Sequence, residues 1–209
     1  MIRRPYLPLV LLAAPFLSAC IVKDTTHRLY LSPRGALTWT VLEQDVRSND
    51  GSPSGRATEE REFLDGVGAG THPALAALAR LVPYQTSVRL FRAERPYTVV
   101  TEARFERVDA VVDTLLRELR IPGKATLQRA GDEWTLTVAI DLSNVTDGED
   151  ADSPVTALIE EIDAYRVMLT DGRFVGATGF EILDDGASAQ LAADNIATDR
   201  PVELRLTWR

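Results

Sequence analysis

The stretch WTLTVAIDL, Trp134 to Leu142, decides the fold class. Trp134, Leu136, Val138, Ile140 and Leu142 fall on one face, and Thr135, Thr137 and Asp141 on the other. Strict alternation of this kind marks a strand with one buried and one wetter face. VELRLTW repeats it near the end of the chain, with Val202, Leu204, Leu206 and Trp208 set against Glu203, Arg205 and Thr207. Working outward, ATLQRAGDEWTLTV predicts a hairpin turning at Gly131-Asp132, and RLYLSPRGALTWTVLE one turning at Ser32 to Gly35. TSVRLFRAERPYTVVTEARF predicts a pair turning near Ala93 to Pro96. YRVMLTDGRFVGATGFEIL predicts a further hairpin at Asp171-Gly172. Arg28 to Ser32 and Arg166 to Thr170 share a pattern, which shared hairpin grammar explains more simply than duplication.

Helical periodicity lies between these pairs. FERVDAVVDTLLRELR places Phe105, Val108, Val112, Leu115 and Leu119 on one face, with Pro122-Gly123 as the stop. SPVTALIEEIDA opens on a Ser153 cap with Pro154 in the first turn. THPALAALARLV and ATEEREFLDGV are shorter candidates, while SNDGSPSGRATEE, Ser48 to Glu60, is expected to be a polar loop. Strand pairs separated by helices give an α+β class. The expected architecture is a mostly antiparallel, curved sheet of about seven to nine strands with two to four helices packed on one face.

The first residues carry the address. Arg3 and Arg4 precede an apolar run, Leu7 to Leu17, and small residues follow. That is the layout of a secretory signal, too short for a membrane span of about 20 residues. Leu17-Ser18-Ala19-Cys20 resembles the lipobox that closes the signal peptide of bacterial lipoproteins, and Cys20 is the only cysteine in the chain. The resemblance implies cleavage between Ala19 and Cys20, diacylglycerol on the Cys20 sulfur and acylation of the new amine. One acyl chain anchors only marginally, so two or more on one residue make physical sense. RRPYL is only faintly similar to a twin-arginine signal, because its arginines sit too near the start. Ile21 follows the cysteine where an aspartate would mark inner-membrane retention, so the family rule points to the outer membrane. The expected location is that membrane, facing the periplasm, or the extracytoplasmic side of the cell membrane in an organism with only one.

The expected organisation is a signal peptide at 1–19, a short tether at 20–26 and one α+β domain at 27–209. Cleavage removes two of the 23 basic residues and none of the 31 acids, taking the net charge from −8 to −10. Such a chain repels nucleic acid and anionic headgroups, so nucleic-acid binding is excluded. The expected partners are membrane lipid, through acylated Cys20, and an envelope protein.

Chemistry is sparsely signalled. His27 and His72 are the only histidines, and no GxSxG elbow supplies a serine for a triad. With the cysteine used for lipid, a conventional zinc site lacks ligands. The acidic loop DLSNVTDGEDADS holds a calcium candidate in Asp147, Glu149, Asp150 and Asp152, although the order does not match an EF-hand. Solvated acids ahead of a helix N-terminus are the simpler reading. Trp39, Trp134 and Trp208 fall on apolar strand faces, where core packing is expected before a ligand platform. No cofactor is expected. The function expected is a non-catalytic, lipid-anchored envelope module that binds or supports. The alternatives are a carrier or sensor of an apolar ligand, marked by a continuous apolar cavity, and a hydrolase built on paired carboxylates.

Overall fold

A computed structural model of the chain describes residues 21–141, 165–183, 185–192 and 200–209. The signal peptide, Cys20, the calcium candidates Asp147, Glu149, Asp150 and Asp152, and the helix expected from Ser153 lie outside those residues. In chain order the elements are β1 (Ile21–Leu31), β2 (Leu37–Ser48), α1 (Pro53–Ala69), α2 (Pro73–Ala79), β3 (Gln85–Arg92), β4 (Tyr97–Phe105), α3 (Val108–Glu118), β5 (Gly123–Ala130), β6 (Glu133–Ile140), β7 (Tyr165–Leu169), β8 (Phe174–Thr178), β9 (Phe180–Ile182), β10 (Ser188–Leu191) and β11 (Val202–Trp208).

The class is α+β and mostly antiparallel. The strands form two sheets rather than one: seven in the order β3-β4-β2-β1-β7-β10-β9, and four in the order β5-β6-β11-β8. Alternation shows that a strand has one buried face. It does not say whether two such strands share a sheet or face each other across a core. The opening stretch, β6, pairs with β11 and β5 in the smaller sheet, Leu136 opposite Leu206 and Leu127. Their inner residues meet those of the larger sheet in one apolar core.

Three of the four expected hairpins form. The fourth does not: β7 pairs with β1 and β10, while β8 pairs with β11 in the other sheet. The chain crosses between sheets where a tight turn is expected. The pairing β7 makes instead is parallel to β1, with Arg28 opposite Arg166, Leu29 opposite Val167 and Leu31 opposite Leu169. The shared pattern of those two stretches is therefore the match of side-by-side strands with one buried face.

Two boundaries also differ from expectation. Residues 21 to 26 are strand, not tether: β1 starts at Ile21, paired with Ser48 at the end of β2. β-branched Ile21, Val22, Thr25 and Thr26 suit that conformation. Helix α1 begins at Pro53, inside the stretch expected to be a loop. Ser52 is its N-cap, its hydroxyl accepting from Gly55 N at 3.0 Å, with Pro53 following in the first turn.

The β1–β2 turn ties the layers together. Gly35 turns there with φ of 87°, and a Cβ at that position would meet the Leu127 side chain of β5. Its carbonyl accepts from Val108 N, the first residue of α3, at 2.9 Å. Pro33 O accepts from Trp208 Nε1 of β11 at 3.1 Å. Helix α3 is fixed at its middle as well, where Asp113 Oδ1 accepts from Ala125 N of β5 at 2.6 Å.

Candidate apolar cavity

The inner face of the larger sheet is built from odd-numbered residues of β1, β2 and β4. Reading down β2, Leu37, Trp39, Val41 and Glu43 are all buried. Three are apolar and the fourth is a carboxylate, so the same alternation leads from an apolar region into a polar one.

At the apolar end lies a cavity of about 210 Å³. Leu29, Leu31, Leu37 and Trp39 form its floor on β1 and β2, with Tyr165 and Val167 of β7 beside them. Leu136, Val138 and Ile140 of β6 and Leu204 and Leu206 of β11 face them from the smaller sheet. Val108, Val111, Val112, Leu115 and Leu116 of α3 close one side, and Phe180 and Leu191 close another. The helix face differs in part from the expected one: Phe105 ends β4, and Val111 and Leu116 are buried with Val108. Among the described residues every lining side chain is apolar or aromatic. The cavity is where the α3 stripe and two alternating strand faces converge without filling the space between them.

Trp39 Nε1 donates to His27 Nδ1 at 3.1 Å. That nitrogen is therefore an acceptor, and the His27 proton sits on Nε2. The imidazole stacks on Tyr165, centroids 4.4 Å apart. Burial lowers the His27 pKa below the ordinary imidazole value, and the charge of Glu43 only partly offsets it. Beyond His27 lies the polar end. His72, N-cap residue of α2, is 1 % exposed, and its Nε2 lies 2.9 Å from Glu43 Oε2. Lys23 of β1 donates to the other oxygen of Glu43. Burial pushes the Glu43 carboxyl up, but His72 and Lys23 beside it outweigh that and hold it below the usual range. The His72–Glu43 separation is that of an ion pair, yet its angles fall outside hydrogen-bond geometry. Both imidazole nitrogens and Thr101 Oγ1 thus lack a hydrogen-bond partner among the described residues. Phe63 of α1 meets His72 edge-on at 5.3 Å.

The sequence predicts that His27 begins the first strand and that His72-Pro73 opens a helix. His27 instead lies in mid-strand, and His72 opens α2 as predicted but is buried. Glu43 and Lys23 were not singled out. The available signal was a charged residue at a position where the alternation of β2 requires an apolar one. Trp39 and Trp208 are core residues, and Trp134 is half-buried beneath the Arg129 guanidinium, 5.6 Å from the ring centre. Among the described residues no three His, Cys, Asp or Glu side chains converge as a metal site. The other carboxyls with shifted affinity all lie low. Asp50 is held by hydrogen bonds from Ser52. Asp109 is held by Arg107, which overcomes the effect of burial. Asp185 is held chiefly by the Ser188 hydroxyl.

No family model and no curated protein matches the chain. Among solved structures it is similar to the NMR structure of the folded domain of LppM from Mycobacterium tuberculosis. The TM-score is 0.41 at 9 % identity, over 91 % of each chain.

Proposed function

We propose that the chain is a lipid-anchored cell-envelope protein whose domain is a non-catalytic binding module, and that it takes an apolar molecule between its two sheets. The cavity carries this reading. The cavity is lined by apolar side chains and is partly open, so an apolar guest seated there removes both its own surface and that of the lining from water. Its size lies between the ~150 Å³ that admits benzene and the ~300 Å³ where drug-sized pockets begin. A short hydrocarbon, or one end of an acyl chain, fits that range.

The carboxyls support a binding role over hydrolysis by a carboxylate pair. Such a pair needs one acid held protonated. Among the described residues each carboxyl with a resolved shift is moved the other way. The lipobox supports the anchor, and the net charge of the mature chain argues against nucleic acid as a partner.

The test is to purify the full chain from envelopes and analyse it by mass spectrometry before and after organic extraction. The expected result is a mature chain acylated on Cys20 that releases about one further apolar molecule per domain. A Cys20→Ser chain should remain an uncleaved precursor without labelled palmitate. An acylated chain that releases nothing beyond its own anchor would contradict the carrier reading.

A further inference from the structure

Strand β1 begins one residue after Cys20, so consecutive Cα atoms put the sheet about 3.8 Å from the anchoring residue. No slack separates the fold from the lipid. The end of the larger sheet that holds Ile21 is therefore the end nearest the membrane. Because β1, β2, β4 and β3 run alternately, the β3–β4 turn lies at that same end. Ile21 is opposite Ser48, Val46 opposite Tyr97, and Thr98 opposite Arg92.

Two exposed apolar side chains mark this end. Phe91, beside the register shift near the end of β3, is 73 % exposed, and Val22 is 40 % exposed. They lie three strand spacings apart, roughly 14 Å at about 4.8 Å each. The end is acidic on balance. Lys23, Arg47, Arg56, Arg92 and Arg95 stand with Asp24, Glu43, Asp45, Asp50, Glu59, Glu60 and Glu94, with Glu60 engaging Arg95 and Glu43 engaging Lys23. Contact there needs apolar side chains and the anchor, on a neutral rather than an anionic lipid surface. Val82 and Tyr84, just before β3, are exposed as well, at 80 % and 62 %, so exposure alone does not choose between the two ends and the anchor does. That patch lies a strand length farther from Cys20, about 25 Å.

We propose that this end of the larger sheet is a lipid-contacting surface: the Cys20 anchor holds it at the bilayer, Phe91 and Val22 enter the interface, and the sheet stands upright with the Tyr84 end in water. The proposal rests on the acylation of Cys20. The partner is the lipid surface itself.

Site-directed spin labelling of the full chain in phosphatidylcholine vesicles tests it. Phe91→Cys and Tyr84→Cys each supply one free thiol, since an acylated Cys20 cannot react, and both positions are exposed enough to be changed without disturbing the fold. At 91 collisions with lipid-soluble oxygen should exceed those with an aqueous nickel chelate several-fold. At 84 the ratio should reverse. Equal aqueous exposure at both positions overturns the proposal, as does burial at 84 instead. Protection at 91 that follows protein concentration rather than lipid would assign the surface to a second copy and overturn it too. Mass spectrometry of the same samples separates the two ideas. An acylated chain with a water-exposed 91 defeats the docking surface alone, whereas an unacylated chain that labels at Cys20 defeats the anchor and the docking surface together.

Discussion

The two ends of one sheet face solve their packing in opposite ways. Around Leu31, Leu37 and Trp39 the strands meet α3 and the smaller sheet with apolar groups only, and they leave space unfilled. Around Glu43 and Thr101 the same strands meet α2 with polar groups, and among the described residues hydrogen bonds are left unmade there at His72 and Thr101. One end lacks atoms and the other lacks partners. The two ends therefore differ in how far they tolerate change. An apolar void can admit a guest or collapse around a smaller side chain. A buried carboxylate between a lysine and a histidine must keep its neighbours, because removing either leaves charge without compensation.

The largest loss of stability is expected at the polar end. Glu43→Ala strands Lys23 and His72, and urea unfolding should show a loss of about 3–5 kcal/mol. Replacing all three together, Glu43→Leu with His72→Phe and Lys23→Met, should recover most of that loss. Failure of the triple variant to recover would mean the polar end is not a compensated unit. At the apolar end, Leu206→Ala removes a wall of the cavity and should cost about 2–5 kcal/mol. An apolar ligand should offset part of this by binding only the folded state. A control away from both ends, Ser52→Ala, deletes the α1 cap and should cost about 1 kcal/mol. The smallest effect is a pH dependence. His27 has a lowered pKa in the fold, so the unfolded chain binds its proton first. The stability it contributes is complete above the unfolded value of about 6.5 and declines as pH falls below it. Glu43, also lowered, contributes stability that is complete above about 4.3 and is lost as pH falls further. Tm should therefore decline from pH 7 to pH 5, and His27→Phe should flatten that first decline. An unchanged slope in the variant would assign the decline to another group.

Local structure was legible in the sequence and sheet membership was not. Periodicity gave β6, β11, part of the face of α3 and three hairpin turns, because each follows from neighbours a few residues apart. The partition into two sheets depends on β7 choosing β1 over β8, a contact between residues some 138 positions apart such as Arg28 and Arg166. The matched patterns of those strands were visible, but their adjacency was not. Helix α1 began early because Ser52-Pro53 is a start signal of the same kind as Ser153-Pro154, hidden in a run of glycine and serine. The cavity had no local signature either. Each lining residue reads as ordinary core, and the void follows from how far apart three elements are held by Gly35, Asp113 and Trp208. Glu43, with His27 and Thr101, broke a local rule by putting polar groups at inner-face positions of their strands.

Trp39 offers the most direct measurement, since its indole lines the cavity while Trp134 and Trp208 lie outside the lining. Titration with a brominated medium-chain fatty acid should quench its fluorescence saturably. The quenching should disappear in Trp39→Phe, and should weaken at least tenfold in apparent affinity in Val112→Phe, where the added ring occupies the space. Quenching that is absent, unsaturable, or equal in wild type and Val112→Phe would contradict a ligand-holding cavity between the sheets.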